Sequence, residues 1–140
     1  MALTRLKKRS EFLRVAGKGV VAKTSTMLVQ CCPSLEKSDK TIKIRVGFTA
    51  SRRVGNAVKR NKAKRRLRAL ACQYLSKKLD ETYQGVFPFD LDFVLIAVPA
   101  TVTADFQCLE RDFLVAIRRC LKHLPAFPES ALEYMNKGSL

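Results

Sequence analysis

Acidic residues are scarce at the front of this chain: Glu11, Glu36 and Asp39 are the only carboxylates before Asp80. Histidine is scarcer still, with His123 alone and far from the basic half. A nuclease acting by itself needs a carboxylate cluster for metal ions or a histidine general base, and the sequence offers neither. No apolar run approaches the roughly 20 residues that cross a bilayer. The basic N-terminus (Arg5, Lys7, Lys8, Arg9, Arg14) lacks the uninterrupted apolar segment of an export signal, and Glu11 intervenes. A mature cytoplasmic terminus is therefore expected. Cys31, Cys32, Cys72, Cys108 and Cys120 are odd in number, show no C-x-x-C spacing and mostly sit within apolar runs, which predicts reduced, buried thiols in a cytosolic protein. Cys120 and His123 are spaced like half of a zinc site, but no second pair of ligands accompanies them. Internal repeats and low-complexity segments are absent as well.

What is abundant is positive charge. The formal net charge is +15, from 27 Lys+Arg against 12 Asp+Glu, well beyond what solubility asks of a chain this short. Residues 1 to 79 hold 22 basic and 3 acidic residues, while residues 80 to 140 hold 5 and 9. One region facing a polyanion is implied, not a uniformly charged shell. With 140 residues and a hydrophobic fraction of 47%, the chain can build one core, so a single domain with a loose tail over 126–140 is expected.

The periodicities predict an α+β protein. Residues 10 to 16 suit a short helix capped by Ser10 and stopped at Gly17. Met27 to Cys32 is apolar and β-prone up to Pro33, and the polar stretch Ser34 to Lys40 reads as a loop. In residues 41 to 51, Ile42, Ile44, Val46, Phe48 and Ala50 alternate with polar residues that include Lys43 and Arg45, a half-buried strand with a positive outer face. Phe93 to Val98 is continuously apolar, as a central strand covered on both sides would be. Between these strands, Ala63, Leu67, Leu70, Ala71 and Tyr74 form one helical stripe over residues 57 to 75. A second long helix, capped by Thr103 and ended by Pro125, would bury Phe106, Leu109, Phe113, Ile117, Cys120 and Leu124.

The first of these long helices breaks local rules. Between Ser51 and Leu70 lie Arg52, Arg53, Lys59, Arg60, Lys62, Lys64, Arg65, Arg66 and Arg68, with no acid among them. If Asn56 is the N-cap, Lys59, Arg60 and Lys62 sit where the helix dipole disfavours cations by about 0.3 to 1 kcal/mol each. Like charges at i and i+4, such as Arg60 with Lys64, cost roughly 0.2 to 0.5 kcal/mol more per pair. A polyanion removes both penalties, because the exposed N–H groups and the cations all favour phosphate oxygens. At 100° per residue, Asn61, Lys64, Arg65 and Arg68 flank the stripe on one side, and Lys59, Lys62 and Arg66 on the other. Asn61 is the one short amide in the array, suited to a base edge, a sugar hydroxyl or a metal-bound water, or simply to solvation. A solvated charged face normally interleaves signs, and this one does not. A membrane-surface helix is disfavoured by the lack of large apolar residues before Leu67.

The run from Arg45 to Arg65, extended to Arg68, closely resembles the signature of the bacterial ribonuclease P protein subunit: a strand, then S-[KR]-[KR]-x-G-x-A-V-x-R-N-x-x-K-R-x-x-R. Similarity extends over most of the chain, from Leu6 through Glu11-Phe12 and Gly19, across Phe93 to Val98, and into the last helix. The resemblance implies a two-layer sandwich like a domain seen in a ribosomal protein, with one small mixed sheet and a left-handed strand-helix-strand crossover, against the usual hand. It implies a protein that assists a catalytic RNA in removing the 5′ leader from precursor tRNA by magnesium-dependent hydrolysis, with Mg2+ held mainly by the RNA. By the same resemblance Arg52, Arg53, Lys59, Arg60, Asn61, Lys62, Lys64, Arg65 and Arg68 contact the catalytic RNA, one protein to one RNA. Phe12, with Lys43 and Arg45 on the outer strand face, belongs to a cleft for the single-stranded leader, although Lys43 and Arg45 suit solvation equally well. Phe12 suits a core position equally well.

Two departures stand out. Lys62 replaces an arginine common in relatives, keeping charge but losing the bidentate fork. Ala16, Thr26 and Val29 stand where relatives often carry aromatics in or near the cleft, which predicts poorer base stacking. The competing classes are a stand-alone nuclease, already disfavoured, and a ribosomal or nucleoid protein without an associated reaction, against which the motif argues.

If roughly five of these cations meet phosphate, RNA affinity should fall more than about a hundredfold between 50 and 200 mM salt, at a slope of about −0.7 to −0.9 per contact. Binding titrations across that range check this, and a flat response would contradict the helix assignment.

Overall fold

The computed structural model describes residues 4–34, 44–75 and 90–124. Its strands are β1 (Thr4–Arg5), β2 (Val20–Lys23), β3 (Met27–Pro33), β4 (Ile44–Thr49) and β5 (Leu91–Ala97), in one sheet of order β1-β4-β5-β3-β2. β4 runs parallel to β1 and β5, while β3 is antiparallel to β5 and β2. The sheet is therefore mixed, as expected of this α+β chain. Around it lie α1 (Arg9–Lys18), α2 (Ala57–Tyr74), α3 (Pro99–Thr103) and α4 (Phe106–Lys122).

The alternation of side chains along each strand sorts the helices between two faces. Leu91, Phe93, Leu95 and Ala97 of β5 join Ile44, Val46, Met27, Val29 and Cys31 in the main core, under Leu67 and Leu70 of α2 and Leu109, Phe113 and Ile117 of α4. The opposite face carries a smaller cluster in which Val15 of α1 covers Cys32 and Val94, with Leu6 beside them. β5 is the central strand its composition predicts. It begins earlier than the apolar run, however, because the buried Asp92 is one of its residues.

Helix α2 follows its expected boundaries closely, and all five residues of the predicted stripe are buried. Its start is fixed by three local devices. Val54 is buried at the end of a single turn of tighter helix over Arg52–Val54. Gly55 then takes φ 139°, which favours glycine over any residue with a Cβ. Asn56 is the cap, its Oδ1 accepting from the Lys59 N–H at 3.0 Å.

Several expectations are corrected. α1 begins before Ser10 and runs through Gly17. Its first turn is satisfied not by Ser10 but by Glu11, whose Oε1 accepts from the N–H groups of Lys8 at 2.9 Å and Lys7 at 3.2 Å. Thr103 closes α3 instead of capping α4, which starts after Asp105. Phe106 is exposed at the start of α4, its ring 6.0 Å from the Arg66 guanidinium, and so lies off the buried stripe. Cys31, Cys32 and Cys120 are buried thiols, whereas Cys72 is exposed and Cys108 half-buried. Strands β1 and β2 carry too few residues to stand out in the pattern. The expected loop over 34–40 lies almost wholly outside the described residues, as do Lys43 and the tail.

Backbone donors at the start of α1 hold the Glu11 carboxyl below its ordinary value of 4.5, helped by the Arg45 guanidinium and opposed by desolvation. A depressed folded-state value means this contribution is present above the unfolded value and lost as pH falls through the folded one. Acid unfolding followed by circular dichroism should therefore show Glu11→Gln less stable than the unchanged chain near neutrality, with the gap closing below about pH 4.5.

Candidate nucleic-acid interface

Packing presents the cations of α2 as the stripe geometry requires. With Ala63, Leu67, Leu70 and Ala71 buried against the sheet, Lys59, Asn61, Lys62, Arg65 and Arg68 are exposed, and Arg52 and Arg53 are exposed on the preceding turn. Arg60 and Lys64 are half-buried. The Arg60 Nε is buried with no hydrogen-bond partner among the described residues. The ion pairs of the described residues join Arg14 and Arg45 to Asp92, and Arg45 to Glu11. None of them involves α2, so no described carboxylate neutralises its cations.

Arg66 is the exception on this helix. Its guanidinium donates to the carbonyl oxygens of Thr101 at 2.7 Å, Val102 at 2.9 Å and Ala104 at 2.5 Å. These include the last carbonyls of α3, where a cation also meets the favourable end of the helix dipole. Arg66 thus fastens α2 to α3 and is not available to phosphate.

The opposite face of the sheet is covered only in part. α1 lies over the row Arg45, Asp92, Cys32 and reaches the next row, Gly47, Val94, Gln30, Val21; beyond it lies the row Thr49, Ile96, Leu28, Lys23. Leu28, Gln30, Thr49 and Ile96 are half-buried and Val21 is 53% exposed. These residues are an open part of the sheet face beside α1, where the resemblance places the floor of the leader cleft. Sequence reasoning missed them because only the strand register shows which apolar residues turn away from the main core.

Phe12 lines this cleft. A Cβ at Gly47 would lie 2.4 Å from a Phe12 ring carbon, so the ring can rest on β4 only because position 47 is glycine. The ring also borders a depression of about 150 Å³ shared with Arg5, Phe48, Lys64 and Arg68. Arg5 and Arg68 both lie over Phe48, at 5.6 and 5.8 Å from its centroid. The cleft and the basic helix are therefore contiguous around the edge of β4.

The remaining cleft expectations need revision. Arg45 does not project from an exposed strand face: its Nε and Nη2 bond Asp92 at 2.8 and 2.7 Å, and its Nη1 bonds Glu11 at 2.5 Å. Thr26 and Val29 do not border the cleft either. Val29 is in the main core, and the buried Thr26 bonds Asp112 at 2.7 Å. The stacking deficit inferred from those two positions therefore falls away, and Ala16, exposed on α1, alone keeps that reading. Among the described residues no group of three or more His, Cys, Asp or Glu could hold a metal ion.

A mixed-sheet α+β domain bearing a cation-rich helix without described carboxylate partners has the surface of a nucleic-acid-binding protein. The model of the family Ribonuclease P matches residues 2–121, and the chain belongs to that family. It is 36% identical over 121 residues to the ribonuclease P protein component of Paramagnetospirillum magneticum, covering 84% of this chain and 82% of the relative. A second such component, from Gluconacetobacter diazotrophicus, is 36% identical over 115 residues, covering 82% and 89%. The fold is shared with the solved ribonuclease P protein of Thermotoga maritima, with TM-score 0.61 and 24% identity over 82% of this chain and 96% of that one. The Staphylococcus aureus protein gives TM-score 0.60 and 23% identity, over 86% and 94%. Membership of this family gives the chain a subunit role in ribonuclease P and in tRNA processing.

Arg65 and Arg66 are neighbours with opposite expected phenotypes. Arg65→Ala should leave stability within about 0.5 kcal/mol while lowering the salt slope of RNA binding by about one. Arg66→Ala should cost about 1.5 to 3 kcal/mol of stability through its lost charged hydrogen bonds. Chemical denaturation and salt titration of the two variants separate these roles.

Proposed function

We propose that this chain binds the catalytic RNA of ribonuclease P through α2 and the precursor tRNA leader through the cleft beside α1, one protein to one RNA. The carrying observation is the set of α2 cations without a described carboxylate partner, contiguous with an uncharged cleft floor. Arg52, Arg53, Lys59, Arg60, Lys62, Lys64, Arg65 and Arg68 meet phosphate, and Asn61 supplies an amide for a sugar, a base edge or a metal-bound water. In the cleft, Phe12 offers a ring face, while Leu28, Gln30, Thr49 and Ile96 offer a surface for unstacked bases. Arg45 acts there through its ion pairs, not as a phosphate ligand.

Hydrolysis of the leader phosphodiester belongs to the RNA, which also holds the Mg2+. The described residues do not fit a direct site for that ion: Glu11 and Asp92, the carboxylates on the cleft side, are already bridged to arginines. The protein's contribution is to bind and orient, lowering the Mg2+ needed by placing cations beside the RNA backbone. Thiols in place of disulfides, three of them buried, support a cytoplasmic setting.

Precursor tRNA incubated at low Mg2+ with the chain, with the catalytic RNA, and with both tests this reading. Cleavage of the leader should be stimulated only when both are present. Cleavage by the protein alone would establish a nuclease instead, and failure of the protein to stimulate its RNA would overturn the subunit assignment.

A further inference from the structure

Four charged side chains meet beneath α1 on the central strand. Asp92 of β5 is fully buried. Arg45 of β4 grips both its carboxylate oxygens, at 2.8 and 2.7 Å, and Arg14 of α1 donates to Oδ2. Arg14 also reaches the Pro33 carbonyl of β3 at 2.8 Å, and Arg45 continues to Glu11 of α1 at 2.5 Å. Two guanidinium groups and two carboxylates are thus closed into one cluster spanning α1, β3, β4 and β5, with no net charge.

Stability alone does not call for such a cluster, since well-packed apolar residues in the same volume are commonly as stable. Geometry gives it a use. Glu11 and Arg14 flank Phe12 in the α1 sequence, and each is tied to the sheet through Arg45 or Asp92. With both ends held, the ring is fixed over Gly47, where the contact leaves no room for a methyl group. α1 has otherwise only a small apolar cluster to seat it, built on Leu6, Val15, Cys32 and Val94.

We propose that Asp92 is a positioning residue for leader recognition: through Arg14 and Arg45 it sets α1, and with it Phe12, at a fixed height above the cleft floor. This rests on the leader-binding reading given above. Asp92 touches no RNA itself. Its loss should leave the α2 contacts in place and loosen only the wall against which the leader bases stack.

The test uses the reconstituted holoenzyme and two precursor tRNAs, one with a leader of several nucleotides and one with a single leader nucleotide. In the unchanged holoenzyme the longer leader should give the lower KM; equal values would overturn leader binding and this inference together. Asp92→Asn should raise the KM of the long-leader substrate roughly tenfold, with kcat and the short-leader KM unchanged, the scale expected when a contact surface is slightly misplaced. A retained preference for the longer leader, or an equal rise for both substrates, would overturn the positioning role while leaving leader binding intact. Should circular dichroism show that Asp92→Asn does not fold, Arg14→Met carries the test, because it frees α1 from Asp92 on the Arg14 side of Phe12 while Asp92 stays paired with Arg45. It must give the same split between the two substrates, and an unchanged preference would overturn the proposal.

Discussion

Mutual repulsion among the cations at the start of α2 is the constraint around which the rest of the molecule is arranged. The first turns oppose the helix dipole, and Arg60, Lys64 and Arg68 repeat like charge at every fourth position. These penalties are each below about 1 kcal/mol, whereas burying one leucine contributes about 1.5 to 3 kcal/mol. Leu67 and Leu70, with Ala63, Ala71 and Tyr74, therefore win. The helix stands through tertiary packing, the Asn56 cap and the Arg66 clamp on α3, and its exposed charge is free to be selected for binding.

Several acids of the described residues complete the arrangement by turning inward. Asp92 takes up Arg14 and Arg45, Glu11 takes up Arg45, and Asp112 accepts from Thr26 and Ser25. Glu110 bonds Tyr74, whose hydroxyl is pushed up first by burial and then by that carboxylate. Carboxylates spent on the interior cannot screen the outer face of α2. Among the described residues, the cations of α2, Arg66 apart, are thus left facing outward without carboxylates. A negative second half could have neutralised α2 by docking onto it; among the described residues its ion-paired carboxylate, Asp92, takes Arg14 and Arg45 instead.

Much of this was legible beforehand, for identifiable reasons. The stripe of α2, the Asn56 cap and the central place of β5 follow from periodicity, which is a local property. The short strands β1 and β2 carry no such period. The cap of α1 differs from expectation because a serine in a helix-start position is an ambiguous signal, and Glu11 reaching back to Lys8 does the same work from inside the helix. Arg45 and Arg66 look like any other cation of the run, and only the tertiary structure distinguishes those with partners from those without. Thr26 and Val29 carry the same lesson: resemblance to relatives places them near the cleft, but strand register turns Val29 into the core, and Thr26, in the bend before β3, is buried against Asp112.

That register has a mechanical consequence. β5 supports both surfaces at once, with Phe93 and Leu95 under the helix layer that contains α2, and Val94 and Ile96 toward the cleft. Its parallel neighbour β4 sets Gly47 opposite Val94 and Thr49 opposite Ile96, and leads within a few residues into α2 itself. The two surfaces are thus spaced by hydrogen-bonded strands and not by a flexible connection. A one-residue slip between β4 and β5 would turn the cleft floor into the core, so the sheet cannot readjust by small degrees. On the proposed reading, an RNA seated on α2 and a strand lying beside Phe12 would be held at a set separation, which is what a subunit must supply if it is to align a substrate with a catalytic centre located on another molecule.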